Sequence, residues 1–339
     1  MRCSIVQFSI NQTFLRMEKV IAVVVTYNRL PLLRNCIEAL RNQTRPLDKI
    51  LIINNGSTDD TEKWLLSQTD IECITQDNTG GAGGFSRAIA EGFAQGYTWT
   101  WCMDDDGFPK KDALEKLIAA DDGKELMLLN CIVLNKDDKN ALVWKTGKYS
   151  RYDEIDCDII EGKAHPFNGT LIHRKIVERV GIPKKKLFVW GDETEYYYRI
   201  TKKNKIPART VTNSIHFHPK SGFTLSQDWD HHSCWKMYYY VRNRFEVYRS
   251  QFNNPVIAVG GFIAFVTAFT GAIILFQKTD KIKKISFALK TSVDAFKQKF
   301  DAKPIDILAT LNNSKNSNFQ LFGAIQNIFL RKKQAAQVG

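Results

Sequence analysis

The chain has 339 residues, 44% of them hydrophobic and 25% charged, and carries a net charge of +12. That length and apolar content support one large folded domain or two smaller ones and exclude a disordered chain. The basic excess favours polyanionic partners such as phosphorylated substrates or an anionic membrane surface; with no zinc-finger, RNA-recognition or bZIP pattern present, nucleic acid is not expected.

The seven cysteines are odd in number, widely spaced and free of any CxxC. They predict reduced thiols in an intracellular chain rather than a disulfide framework. Residues 1–18 have no continuous apolar stretch and no small-residue cleavage site, so they are expected to form an N-terminal extension and not a signal peptide. Met17 is an alternative start.

The first half alternates strands and helices. "KVIAVVVTYN" is an apolar, β-branched run of the kind buried in a parallel sheet. "RLPLLRNCIEALRNQ" has apolar residues at helical spacing with Pro31 near its start. "DKILIINNGS" is a second strand and "STDDTEKWLLSQ" a capped helix. "IECITQDNTGG" is a third strand entering a Gly-rich loop, "GGFSRAIAEGFAQG" the next helix, and "YTWTWCMDDD" a fourth strand. Repeated strand–helix units predict a mostly parallel sheet covered on both faces, with ligands bound beyond the carboxyl ends of the strands. Thr26 to Arg29, Asn54 to Asp59, Asn78 to Gly84 and Asp104 to Asp106 would then meet at one edge.

Asp104, Asp105 and Asp106 read either as a polar turn or as carboxylates gathered for a hard divalent cation, which would relieve their repulsion. The loop Asp77 to Arg87 brings glycines to a helix start, where backbone N–H groups can approach phosphate; a tight structural turn fits as well. It is neither a Walker A sequence nor a good dinucleotide fingerprint.

Beyond residue 125, "LMLLNCIVLN" and "KAHPFNGTLIHRKIVERVG" supply further strands and a helix. In "VWGDETEYYYR", Glu195 and Arg199 are spaced for a helix-surface pair. Asp192 and Glu193, at the helix entry, fit either capping or a general base. His216 and His218 alternate onto one strand face, where a neutral imidazole could complete a metal site with Asp104 and Asp106. Arg242 and Arg244, among three tyrosines, form a solvated basic face or an anion site. Residues 255–276 carry no charge, and roughly 22 residues at about 1.5 Å each reach about 33 Å, enough to cross a bilayer core. The lysines that follow fit the cytoplasmic side.

The ordered set "VVVTYNR", "IINNGSTDDT", "NTGGAGGF", "WCMDDDGFP", "VWGDETEYYYR", "HFHPKSG" and "YYYVRNR" resembles the family 2 glycosyltransferases, and within them most the bacterial galactofuranosyl- and rhamnosyltransferases. The resemblance covers residues 19–250 and implies the GT-A fold, an α/β architecture with a Rossmann-like, mostly parallel central sheet and helices on both faces. Residues 251–339 would add a helical, membrane-associated region. Asp104 and Asp106 would hold Mn²⁺ or Mg²⁺, with His216 matching the third ligand better than His218, and Asp105 would lie towards the donor ribose or sugar. Thr26, Asn28 and Arg29 would form the first nucleotide loop. Asn54 stands where the family usually has a base-reading Asp. Asn78, Gly80, Gly81, Gly83 and Gly84 would line the donor pocket. Glu193 aligns with the catalytic base, with Asp192 as the adjacent alternative. The implied reaction inverts the anomeric centre. It moves galactofuranose from UDP, or second rhamnose from dTDP, to a polyprenyl-diphosphate-linked saccharide at the cytoplasmic face of the bacterial inner membrane. A sugar nucleotidyltransferase, or a non-catalytic glycan- or membrane-binding protein of the same fold, are the alternatives.

Overall fold

The computed structural model describes residues 3–4, 18–220 and 226–313. Met17, most of the expected extension, and Ser221–Gly222 of the histidine motif lie outside the described residues. Contacts divide the chain into two compact units, Met1–Gly222 with Glu246–Val259, and Phe223–Phe245 with Gly260–Gly339.

The first unit is built on one twelve-stranded sheet. In chain order its elements are β1 (Cys3–Ser4), β2 (Val20–Thr26), α1 (Leu30–Arg41), β3 (Lys49–Asn54), α2 (Thr61–Leu66), β4 (Ile71–Thr75), α3 (Gly80–Ala94), β5 (Trp99–Asp104), β6 (Phe108–Pro109), α4 (Ala113–Ala119), β7 (Leu128–Asn135), β8 (Ala141–Thr146), β9 (Tyr149–Arg151), β10 (Ile159–Glu161), β11 (Asn168–His173), α5 (Arg174–Val180), α6 (Asp192–Tyr198) and β12 (Ala208–His218).

All seven residues of β2 are buried, because both faces of the sheet are covered. Val20, Ala22 and Val24 pack with Leu33, Ile37 and Leu40 of α1 and Leu114 of α4. Ile21, Val23 and Val25 face the other way, onto Phe85, Ala88 and Ile89 of α3. The tryptophans Trp99 and Trp101 are core residues.

The main path of the sheet runs β1-β10-β12-β7-β11-β5-β2-β3-β4. β4, β3, β2 and β5 are mutually parallel. β11 lies antiparallel between β5 and β7, so β7 and its parallel neighbour β12 run in the same sense as β5. The carboxyl ends of β2, β3, β4, β5 and β12 therefore all point to one edge.

Glu195, expected as a surface partner of Arg199, is fully buried. It pairs with Lys184 at 3.0 Å and Arg199 at 3.1 Å and accepts a hydrogen bond from Ser250 at 2.7 Å. Lys184 also reaches Glu246 at 2.7 Å. Among the described residues five cysteines are free thiols; Cys157 is disulfide-bonded, a departure from the all-thiol expectation.

The helices α7 (Trp235–Gln251), α8 (Pro255–Phe276), α9 (Lys281–Phe296) and α10 (Pro304–Asn313) follow. In the second unit Arg242 is fully buried, enclosed by the rings of Tyr238, Tyr239 and Phe300 at 5.4, 4.7 and 4.8 Å. It is a packed cation rather than part of a solvated face.

Candidate active site

Asp104 ends β5, and the chain turns at Gly107. A Cβ at that position would lie 2.3 Å from His216 Nε2, so only glycine passes there. β6 then runs back antiparallel to β12, with Pro109 opposite His216 and Phe108 opposite Phe217. This return brings His218 Nε2 to 3.2 Å from Asp106 Oδ1. One carboxylate oxygen from each of Asp104 and Asp106 and one ring nitrogen of His218 lie within 4.8 Å of one another.

His216, the expected third ligand, is not in that group. Both histidines project from the same face of β12, but a two-residue step along a strand is about 6.6 Å. His216 therefore sits deeper, beneath Gly107 and Gly169. It is fully buried with neither ring nitrogen hydrogen-bonded, and burial pushes its pKa down to about 3. It is a neutral packing side chain, and His218 takes its place beside the aspartates.

The electrostatics fit a divalent cation. Burial, then the charges of Asp106 and Glu193, hold the Asp104 carboxyl well above the usual range. Burial opposes ionisation of Asp106 as well, yet the hydrogen bond and charge of His218, with Arg29, keep it below that range. His218 is raised by Asp106 in spite of burial, so a cation binding there must displace its proton. Two carboxylates and an imidazole suit Mg²⁺ or Mn²⁺.

Asp105 turns away from this group. It is buried, accepts a 2.7 Å hydrogen bond from the Thr26 hydroxyl and pairs with Arg29 at 3.3 Å. Burial raises it to about 6 against these partners. Arg29 also reaches Asp106 at 2.9 Å, so one half-exposed guanidinium ties the last two aspartates together. Asn28 adopts φ 54°. Its Oδ1 accepts from Thr58 N–H at 2.6 Å and its own N–H donates to Ser57 Oγ at 2.9 Å, joining the loops after β2 and β3. Asn54 is buried; its Oδ1 accepts from Ser57 N–H at 3.1 Å and its Nδ2 donates to Thr75 Oγ1 at 3.3 Å. Its amide is thus engaged within the protein.

The Gly-rich segment serves mainly close packing. Gly80 has φ +70°, and its Cβ position falls 2.1 Å from the Phe188 carbonyl oxygen. Cβ atoms at Gly83 and Gly84 would strike Thr79 at 2.1 Å and Val25 at 2.4 Å, while Gly81 faces open space. Asn78 Oδ1 accepts from Gly80 N–H at 2.9 Å.

The Phe188 carbonyl also accepts from Ala82 N–H at 3.0 Å, joining α3 to the loop before α6. In that loop Phe188, Trp190 and Gly191 have φ of 65°, 58° and 101°. Left-handed backbone at a Phe and a Trp is strain that surrounding contacts must hold. It delivers Asp192 and Glu193 to the first turn of α6. Burial raises Asp192 to about 6; burial and Asp192 together raise Glu193 to about 8.

The family described as Glycosyl transferase family 2 matches residues 21–181. The galactofuranosyltransferase GlfT1 of Mycobacterium tuberculosis (strain ATCC 25618 / H37Rv) is 32% identical over 216 residues, covering 60% of this chain and 70% of the relative. GlfT1 of Mycolicibacterium smegmatis is 31% identical, over 60% of this chain and 71% of the relative. This chain belongs to glycosyltransferase family 2. It is a glycosyltransferase, and its architecture is GT-A. The crystal structure of S. aureus TarS 1–349 in complex with UDP superposes with a TM-score of 0.55 at 13% identity, covering 87% of each chain. The UDP-GlcNAc complex gives 0.54 at 14% identity, over 88% of this chain and 92% of that one.

One residue of this transferase escaped the sequence reading. The Trp144 ring on β8 lies 5.4 Å from the His218 ring and 5.0 Å from His165. No periodicity marks it, because β8 pairs with β7 and β9, off the main path of the sheet.

Proposed function

We propose that this enzyme transfers a hexosyl unit, galactofuranose first and rhamnose second, from a UDP- or dTDP-linked donor to a polyprenyl-diphosphate-linked saccharide, with inversion, at the cytoplasmic face of a bacterial inner membrane. The donor sugar rests on the GlfT1 relatives, which are named as galactofuranosyltransferases. A uridine nucleotide is supported by TarS, solved with UDP and with UDP-GlcNAc on the same fold. The membrane is supported by the uncharged α8.

The observation that carries the mechanism is the gathering of ligand atoms of Asp104, Asp106 and His218 within 4.8 Å of one another, with the charge of Glu193 also acting on Asp104. Asp104, Asp106 and His218 would hold a divalent cation, which neutralises charge on a departing diphosphate. Glu193, as carboxylate, takes the proton of the acceptor hydroxyl as that oxygen attacks the anomeric carbon from the face opposite the diphosphate. The anomeric C–O bond breaks and its electron pair leaves with the nucleoside diphosphate. Asp192 is the alternative base. In this reading Thr26, Asn28 and Arg29 form the rim of the nucleotide site with Asp105 behind them, and Asn54 shapes the loop beside the base. Gly81, with Asn78, faces the donor.

The test is a panel of nucleotide-sugars assayed for nucleoside diphosphate release with and without EDTA. UDP-galactofuranose should turn over best, and chelation should stop it. Release of pyrophosphate instead would indicate nucleotidyl transfer, and indifference to EDTA would remove the cation.

A further inference from the structure

α8 is apolar and long enough to cross a bilayer, but its neighbours in the second unit are not. Phe262 packs on Phe245 of α7 and Phe296 of α9, with ring centroids 5.3 and 5.1 Å apart. Phe265 lies 5.9 Å from Tyr240 of α7, and the Arg244 guanidinium is 5.7 Å from the same Phe265 ring. At its other end α8 is followed by Gln277, whose Oε1 accepts from Lys284 Nζ of α9 at 2.9 Å. α9 therefore starts near the end of α8 and finishes near Phe262, lying antiparallel beside it. Carrying α8 through hydrocarbon would take Lys283, Lys290 and Asp294 of α9 and Arg244 of α7 with it. Each such charge is costly at the centre of a bilayer.

Both helices are two-faced. Ala258, Phe262, Phe269 and Ile273 of α8 are buried, while Val256, Ile263 and Ile274 on the opposite side are exposed. On α9, Phe287, Ala288, Thr291 and Ala295 are buried, while Ile282, Leu289 and Val293 are exposed, Ile282 by 68%. At 3.6 residues per turn those three fall within about 40° of one another. Lys281 flanks the stripe on one side and Lys283 and Lys290 on the other, each about 80–100° away. An apolar stripe edged by lysines is the pattern of a helix lying in a membrane interface, its lysines reaching anionic headgroups.

We infer that α8 does not span: α8 and α9 lie in the plane of the membrane, with the α9 stripe sunk into the interface of an anionic bilayer. This rests on the membrane reading proposed above and specifies its geometry and lipid. The full chain should co-sediment with phosphatidylcholine vesicles containing phosphatidylglycerol, bind pure phosphatidylcholine vesicles about tenfold more weakly or less, and be released by alkaline carbonate. Ile282→Ser/Leu289→Ser/Val293→Ser should lose vesicle binding while keeping its circular dichroism spectrum, and Lys283→Gln/Lys290→Gln should lose the lipid preference. Resistance to carbonate would overturn the inference in favour of spanning. A folded stripe variant that binds like the wild type would overturn it while leaving membrane attachment intact. Wild-type protein that binds neither vesicle would remove the membrane reading itself. Loss of a dimer, rather than of vesicle binding, in the stripe variant would assign that face to a second copy and overturn the lipid assignment.

Discussion

His218 Nε2 stands 3.2 Å from Asp106 Oδ1, while His216, two residues earlier on the same strand face, is sealed beneath Gly107 and Gly169. The two imidazoles therefore have separable roles. His218→Ala should weaken Mn²⁺ binding by at least about 10–100-fold, the scale already seen when only the outer shell of a metal site is disturbed. His216→Ala should leave Mn²⁺ affinity within about twofold and lower stability by about 2–4 kcal/mol through the cavity it leaves. Titration calorimetry and thermal unfolding separate the two. Equal Mn²⁺ loss in both variants would remove the distinction.

Without metal, stability should fall as pH rises from 6.5 to 8. Asp104 is raised well above its ordinary value and Glu193 to about 8, and His218 is raised as well. In this window the folded state holds protons that the unfolded chain has released, so deprotonation favours unfolding. The buried or half-buried His165, His173 and His216, lowered to about 4, about 4 and about 3, act in the opposite sense around the unfolded imidazole value of 6.5, so the fall is clearest above about pH 7. Mn²⁺ replaces the site's protons, so its stabilising effect in a thermal melt should be larger at pH 8 than at pH 6.5. A pH-independent shift would contradict this account.

If Glu193 is the base, kcat/KM should rise with pH on a limb near 8, the value to which burial and Asp192 push it. Glu193→Gln should lose about 10²–10⁴-fold in rate together with that limb. Asp192→Asn should keep a limb and move it to lower pH, because a neighbouring negative charge is gone. A wild-type profile in both variants would exclude this pair from proton transfer.

The glycines divide into packed and open positions. Gly84→Ala places a Cβ 2.4 Å from Val25 Cγ1 and should cost about 1–3 kcal/mol in urea unfolding. Gly81→Ala meets nothing within 4 Å, so stability should hold or rise by about 0.4–1 kcal/mol. Any effect should appear in the donor KM. A large stability loss at Gly81 would show that it too is packed.

Glu195→Gln should destabilise the fold by about 3–5 kcal/mol, since it leaves the partly buried Lys184 and Arg199 short of a fully buried counter-charge. The loss should read out as a lower urea midpoint with Mn²⁺ affinity retained in the folded fraction. A change confined to kcat would move Glu195 from scaffold to chemistry.

Sequence alone specified the four parallel strands of the first half, the two-sided burial of the sheet and the polar strand ends that meet at one edge. It did so because a continuous β-branched run has no solvent face and a parallel sheet delivers its carboxyl ends together. The family followed from motifs in order along the chain. Reach, by contrast, depended on the fold. Period-two alternation assigns His216 and His218 to the same face, yet it is the return of β6 along β12 that sets which imidazole meets Asp106. Local pattern likewise left Glu195 and Arg242 as surface candidates, whereas packing buries Glu195 against Ser250 and Arg242 against Phe300, both distant in sequence. The uncharged α8 is long enough for a membrane span by itself, and the charged side chains packed beside it are visible only in the fold. Alternation records a side chain's direction, but distance across a sheet or between helices depends on register, which no local stretch of sequence encodes.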